Sequence, residues 1–120
     1  MKIYNKLIRD KIPEIMTKDG KTFEVVVLSN EEDFILNLEK KLIEELNELK
    51  EAIKNKKIKE IKSELADVML VCAFLKKELS IIEQTRKRFH ISRQSLEKEY
   101  IIKNKERGQF HKRLFLVHVL

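Results

Sequence analysis

Two stretches of this chain repeat apolar residues at three- and four-residue steps, and that spacing points to long amphipathic helices. Ile35, Leu38, Leu42, Leu46, Leu49 and Ile53 form the first stripe, in a helix expected from about Glu31 to Asn55. Ser29-Asn30-Glu31-Glu32 opens it with an N-cap candidate and with acids at the positive end of the helix dipole. Asn55-Lys56-Lys57 is a polar break, and a second helix starts near Ile58. Its stripe is Ile58, Ile61, Leu65, Val68, Cys72, Leu75 and Leu79. Between Leu65 and Leu75 it is apolar almost all round, which asks for burial on several sides. One short chain can hardly cover such a helix, so a homo-oligomer is expected.

The flanks read more loosely. Pro13 suits a first helical turn, with Asp10 as a candidate N-cap. Asp19-Gly20 is a turn. Phe23 to Leu28 reads as a strand, and the tail Leu114 to Leu120 as its partner. The helical pattern turns basic at Arg86, Lys87 and Arg88, and His90-Ile91-Ser92 reads as a joint. A further helix runs from an N-cap at Ser92 or Ser95 to about Glu106, with Gly108 ending it. Two glycines and one proline in 120 residues argue against a turn-rich sandwich or barrel. The expected fold is mainly α. It is an oligomeric helical bundle of long antiparallel helices with a small two-stranded β element, in one domain spanning 1–120.

The net charge of +6 is unevenly spread. Residues 1–23 carry +3, residues 24–70 carry −4 and residues 71–120 carry +7. A plain nucleic-acid binder has no need of the acidic centre, whereas a protein holding a metal ion against phosphate would use both parts. The single cysteine, Cys72, excludes an intramolecular disulfide framework and any Cys-based zinc finger; its place on the second stripe suggests a small core residue. The longest nearly apolar run, 65–75, is too short to span a bilayer and contains Asp67. The N-terminus has no apolar signal-peptide core, and a cytoplasmic setting without membrane attachment is expected.

The acidic residues carry the chemistry. Glu44, Glu45 and Glu48 read EExxE on the first long helix, and Glu64 and Asp67 read ExxD on the second. At 100° per residue, Glu45 and Glu48 lie about 60° apart on one flank, and Glu64 and Asp67 share that relation. Two antiparallel helices can therefore bring Glu45, Glu48, Glu64 and Asp67 to one place; Glu44 points further away. Oxygen ligands without His or Cys suit Mg²⁺ or Mn²⁺ rather than zinc. Asp67 is the one charge in an eleven-residue apolar stretch, and a lone buried carboxylate calls for a cation or a hydrogen-bond partner. Acids on a Lys/Glu-rich helix are more often solvated partners of lysines. Asp67, with Glu64 one turn away, weighs against that bland reading.

At these residues the chain resembles the all-α nucleoside triphosphate pyrophosphohydrolases, which include MazG-like and phosphoribosyl-ATP pyrophosphohydrolase-like proteins. YNKLIRDKIPEI at 4–15, LNLEKKLIEELNEL at 36–49, ELADVM at 64–69 and KNKERGQFHKRLFL at 103–116 carry the likeness. It implies cleavage of a nucleoside triphosphate, or a related nucleotide, to a monophosphate and pyrophosphate, in many relatives as house-cleaning of non-canonical nucleotides. It also implies Mg²⁺ at the positions of Glu45, Glu48, Glu64 and Asp67. Glu44 or Glu45 is then the candidate to orient the attacking water or take its proton. Lys6, Arg9, Lys11, Lys103, Arg107 and Lys112, from the two basic motifs, are the candidates to bind phosphate. Two departures stand out: Gln109 replaces a second glycine after Gly108, and the arm at 76–90 is longer by roughly three helical turns. The rival readings are a helical nucleic-acid-binding module using Arg86, Lys87, Arg88, Arg93 and the 54–62 lysines, and a non-catalytic regulatory assembly protein.

Overall fold

The computed structural model describes residues 2–86 and 93–119. Four helices follow in order: α1 (Ile12–Lys18), α2 (Glu31–Lys54), α3 (Ile58–Arg86) and α4 (Arg93–Arg107). Local chemistry explains their ends. Asn30 caps α2, its side-chain oxygen accepting from the backbone N–H groups of Glu32 at 2.9 Å and Asp33 at 3.2 Å. Pro13 lies in the first turn of α1, but the N-cap is Lys11, not Asp10. Gly20, at φ 74°, closes α1: its N–H donates to the Thr17 carbonyl, and that of Lys21 to the Met16 carbonyl. The same double bond closes α2 through Lys56 and Lys57, with Lys56 at φ 54°. A non-glycine residue in this region is strained, and it makes the turn into α3 very short.

α2 and α3 form the one extensive helix–helix packing among the described residues. Its inner line on α2 is Ile35, Leu38, Leu42, Glu45, Leu49 and Ala52. The facing line on α3 is Ile61, Glu64, Asp67, Val68, Val71 and Leu75. Only Leu38, Ala52 and Val71 are fully buried among the described apolar residues, so the core is thin. The stripes predicted from periodicity are therefore rotated. Leu46, Ile53 and Leu65 face outward, and Cys72 is exposed rather than a core residue. Between Leu65 and Leu75, α3 is apolar nearly all round, so hydrophobicity alone does not fix its inner face.

Leu36, Ile43, Leu46 and Ile53 on α2, and Ile58, Leu65 and Met69 on α3, are 46–79% exposed. At 100° per residue they fall on the same side of the α2–α3 hairpin. The segments 23–28 and 114–119, expected to pair as strands, have no regular structure. A strand needs a partner edge, and neither segment finds one within the described chain. α4 begins at Arg93, which puts Ser95 inside the helix; the basic residues Lys87 and Arg88 and the joint at 90–92 lie outside the described residues. Gly108, at φ 75°, ends α4 as expected. Among the described residues no helix is long and apolar enough to cross a membrane.

Candidate metal centre

Three of the predicted ligands converge. One carboxylate oxygen each from Glu45, Glu48 and Glu64 lie within 4.8 Å of one another. α2 supplies the first two from successive turns and α3 supplies the third from its inner face, so the hairpin itself builds the cluster. Glu45 is 5% exposed. Its Oε2, and Oε2 of Glu64, are buried without a hydrogen-bond partner. Like charges at this separation repel, and orphaned buried acceptors are costly. Both costs are relieved by a hard divalent cation, so the donor set fits one.

The electrostatics show the strain. Burial pushes the Glu45 carboxyl above the ordinary glutamate range, aided by Glu48 and opposed by Lys41. Glu48, which is exposed overall, is shifted upward too, first by partial loss of solvent around its carboxyl and then by Glu64.

Asp67 is half-buried on the same face of α3, but its Oδ1 pairs with an Arg9 guanidinium nitrogen at 3.4 Å. The structure thus places Asp67 beside the cluster and in the grip of a cation, not among the three converging oxygens. Glu44 also lies outside the trio. Its Oε1 is 3.5 Å from Lys6 Nζ and 3.4 Å from Lys41 Nζ. The N-terminal segment therefore reaches α2 through Lys6 and α3 through Arg9, and Leu7 and Ile8 between them are half-buried.

The other basic candidates stand elsewhere. Lys11 is an exposed residue at the start of α1. Lys103 and Arg107 line an open concavity of about 400 Å³ with Tyr100, Asn104, Gln109 and Phe110. Among the described residues they form no ion pair with the acidic cluster; Lys103 pairs with Glu99 at 3.9 Å. Lys112 is exposed beyond α4. α4 meets α3 at the Lys76–Glu97 pair, 3.8 Å apart.

One residue escaped sequence reasoning. Lys41 Nζ lies 3.3 Å from Glu45 Oε1 as well as 3.4 Å from Glu44 Oε1. Its side chain is 19% exposed. The signal was present as a lysine one turn ahead of the paired glutamates, on the face that Glu45 buries.

A family model for the MazG nucleotide pyrophosphohydrolase domain matches residues 35–108. That interval contains all five acidic candidates and Lys41, Lys103 and Arg107. No curated protein matches the chain. No solved structure matches it either. A mainly helical chain whose paired helices carry EExxE and ExxD, matched by that model over more than half its length, belongs to the MazG nucleotide pyrophosphohydrolase domain family.

Proposed function

We propose that the chain, as one domain over 1–120, is a Mg²⁺-dependent pyrophosphohydrolase that cleaves a nucleoside triphosphate between its α and β phosphates. A related nucleotide, such as a phosphoribosyl-ATP-like one, fits the same chemistry, and removal of aberrant nucleotides in the cytoplasm is the expected setting. The observation that carries the reading is the trio Glu45, Glu48 and Glu64, with orphaned buried oxygens on the two helices that the family model covers.

Glu45, Glu48 and Glu64 would hold the ion, and Asp67 would join them once Arg9 lets it go. When bound, a divalent ion polarises phosphate oxygens and offsets charge that develops during cleavage. Mn²⁺ suits the same oxygens. Lys6 and Arg9, already at the cluster, would turn to the triphosphate, whose charge exceeds that of the carboxylates they now hold. Lys11, Lys103, Arg107 and Lys112 are the remaining phosphate contacts proposed. Glu44, next to the trio but outside it, is the carboxylate proposed to orient a water and accept its proton as the water oxygen attacks the α-phosphorus. Glu45 is the alternative base, though its place in the trio favours ligation. The bond from the α-phosphorus to the bridging oxygen breaks, and pyrophosphate leaves.

A panel of nucleotides incubated with Mg²⁺ and analysed for both products tests the assignment. Pyrophosphate and the monophosphate are expected in equal amounts, and both should vanish with EDTA. Orthophosphate as the first product would rule out the cleavage position. Salt-dependent binding of generic DNA that survives Asp67→Asn, with no turnover on any nucleotide, would favour the nucleic-acid reading instead.

The exposed apolar side of the α2–α3 hairpin supports a homodimer or homotetramer. Exposed apolar patches of this kind are uncommon on soluble monomers. Sedimentation should give a mass at least twice 14.4 kDa. Met69→Glu should shift it toward the single chain, and a wild-type monomer at micromolar concentration would remove the proposal.

A further inference from the structure

Lys41 has a position that helix stability does not explain. A lysine placed four residues before a glutamate is the less favourable order for an exposed helical pair. Here the glutamate is buried, and the lysine is largely covered with it. The ammonium lies between the two adjacent glutamates of α2, within 3.4 Å of an oxygen of each. It engages Oε1 of Glu45, while Oε2 of the same carboxylate is the orphaned atom. On the other side, Glu44 Oε1 is shared between Lys41 and Lys6.

We propose that Lys41 is a positioning residue that assigns different tasks to the neighbouring Glu44 and Glu45. By holding one oxygen of Glu45 it leaves the other for a divalent ion. By holding Glu44 it keeps that carboxylate out of the ligand set, available to water. This inference rests on the metal-site reading above. The formal charges agree with it. Glu44, Glu45, Glu48, Glu64 and Asp67 face Lys6, Arg9 and Lys41, which leaves the set two negative charges, matched by one divalent ion.

The test uses Mn²⁺ alone as the probe, followed by electron paramagnetic resonance on the whole protein without nucleotide. Two accounts of Lys41 predict opposite signs. If Lys41 is only a nearby positive charge, Lys41→Met makes the site more negative and tightens Mn²⁺ binding. If it positions Glu45, the same change weakens binding, by about tenfold, as loss of a group that orients a metal ligand does. Weaker binding is the expected result. Lys41→Arg, which keeps a charged donor, should recover most of the affinity. Lys41→Gln, which keeps reach and a neutral donor, should fall between wild type and Lys41→Met and serves if the methionine variant does not fold. Turnover should fall in kcat more than it rises in KM. Unchanged or tighter Mn²⁺ binding in both neutral variants would overturn the role of Lys41 while leaving the metal site standing. A wild-type protein that binds no Mn²⁺ would remove the metal site, and Lys41's role with it.

Discussion

Glu64→Gln is expected to lower pyrophosphohydrolase turnover by about 100-fold or more, equivalent to roughly 2.7 kcal/mol of lost transition-state stabilisation. The same substitution should raise the melting temperature of the ion-free protein, by about 4 °C. The two effects share one cause. Glu64 brings a third negative charge to within 4.8 Å of Glu45 and Glu48, with one buried oxygen unpartnered. That arrangement costs stability until a cation arrives. Glutamine has nearly the same shape, removes the repulsion and can donate a hydrogen bond to a neighbouring carboxylate. It also takes away a charged ligand. Turnover with Mg²⁺ and melting in EDTA measure the pair of effects. Undiminished turnover would strike Glu64 from the ligand set, and a lower melting temperature in EDTA would show that the cluster is not held under repulsion.

The second large effect concerns pH. Glu45 and Glu48 both have folded-state values above the ordinary glutamate value of 4.5, through burial at Glu45 and through partial desolvation and the neighbouring Glu64 at the more exposed Glu48. A carboxylate with a raised folded value binds protons more tightly in the native state than in the unfolded chain. Stability therefore falls as pH rises from 4.5 through the raised values, because the native state must give up protons it prefers to keep. In EDTA, wild type should lose stability across that window relative to Glu48→Gln, which lacks one of the titrating groups and relieves the other. Saturating Mg²⁺ should reduce the loss, since the ion replaces the protons. Activity should move the other way, rising with pH over the same range as the ligands ionise. Melting temperature followed against pH for both proteins, with and without Mg²⁺, gives the comparison. Parallel curves in EDTA would show that these glutamates titrate normally.

The sequence exposed the hairpin and most of the acids, and the reasons are local. The ends of α2 were readable because Asn30 is a strong cap and Asn55-Lys56-Lys57 breaks the apolar stripe. Glu45, Glu48 and Glu64 were readable because a three-residue spacing fixes their face whatever surrounds them. Asp67 was readable as a lone charge in an apolar run, in need of a cation; that Arg9 provides one was not, because the link joins residues 58 positions apart. Rotation of the inner face was hidden by α3 being apolar on nearly all sides. The strands were misread because Val25, Val26 and Val27 have β-forming side chains whatever lies beside them, whereas a ladder exists only where a second edge is supplied.

The turn at Lys56 has a kinetic consequence. The glutamates of the cluster are fewer than twenty positions apart along the chain, joined by one of the shortest connections two helices can have. Closing so small a loop costs little entropy, and contacts this local form early when a chain collapses. The acidic trio is thus built by one local hairpin and draws no carboxylate from the N-terminal segment or α4.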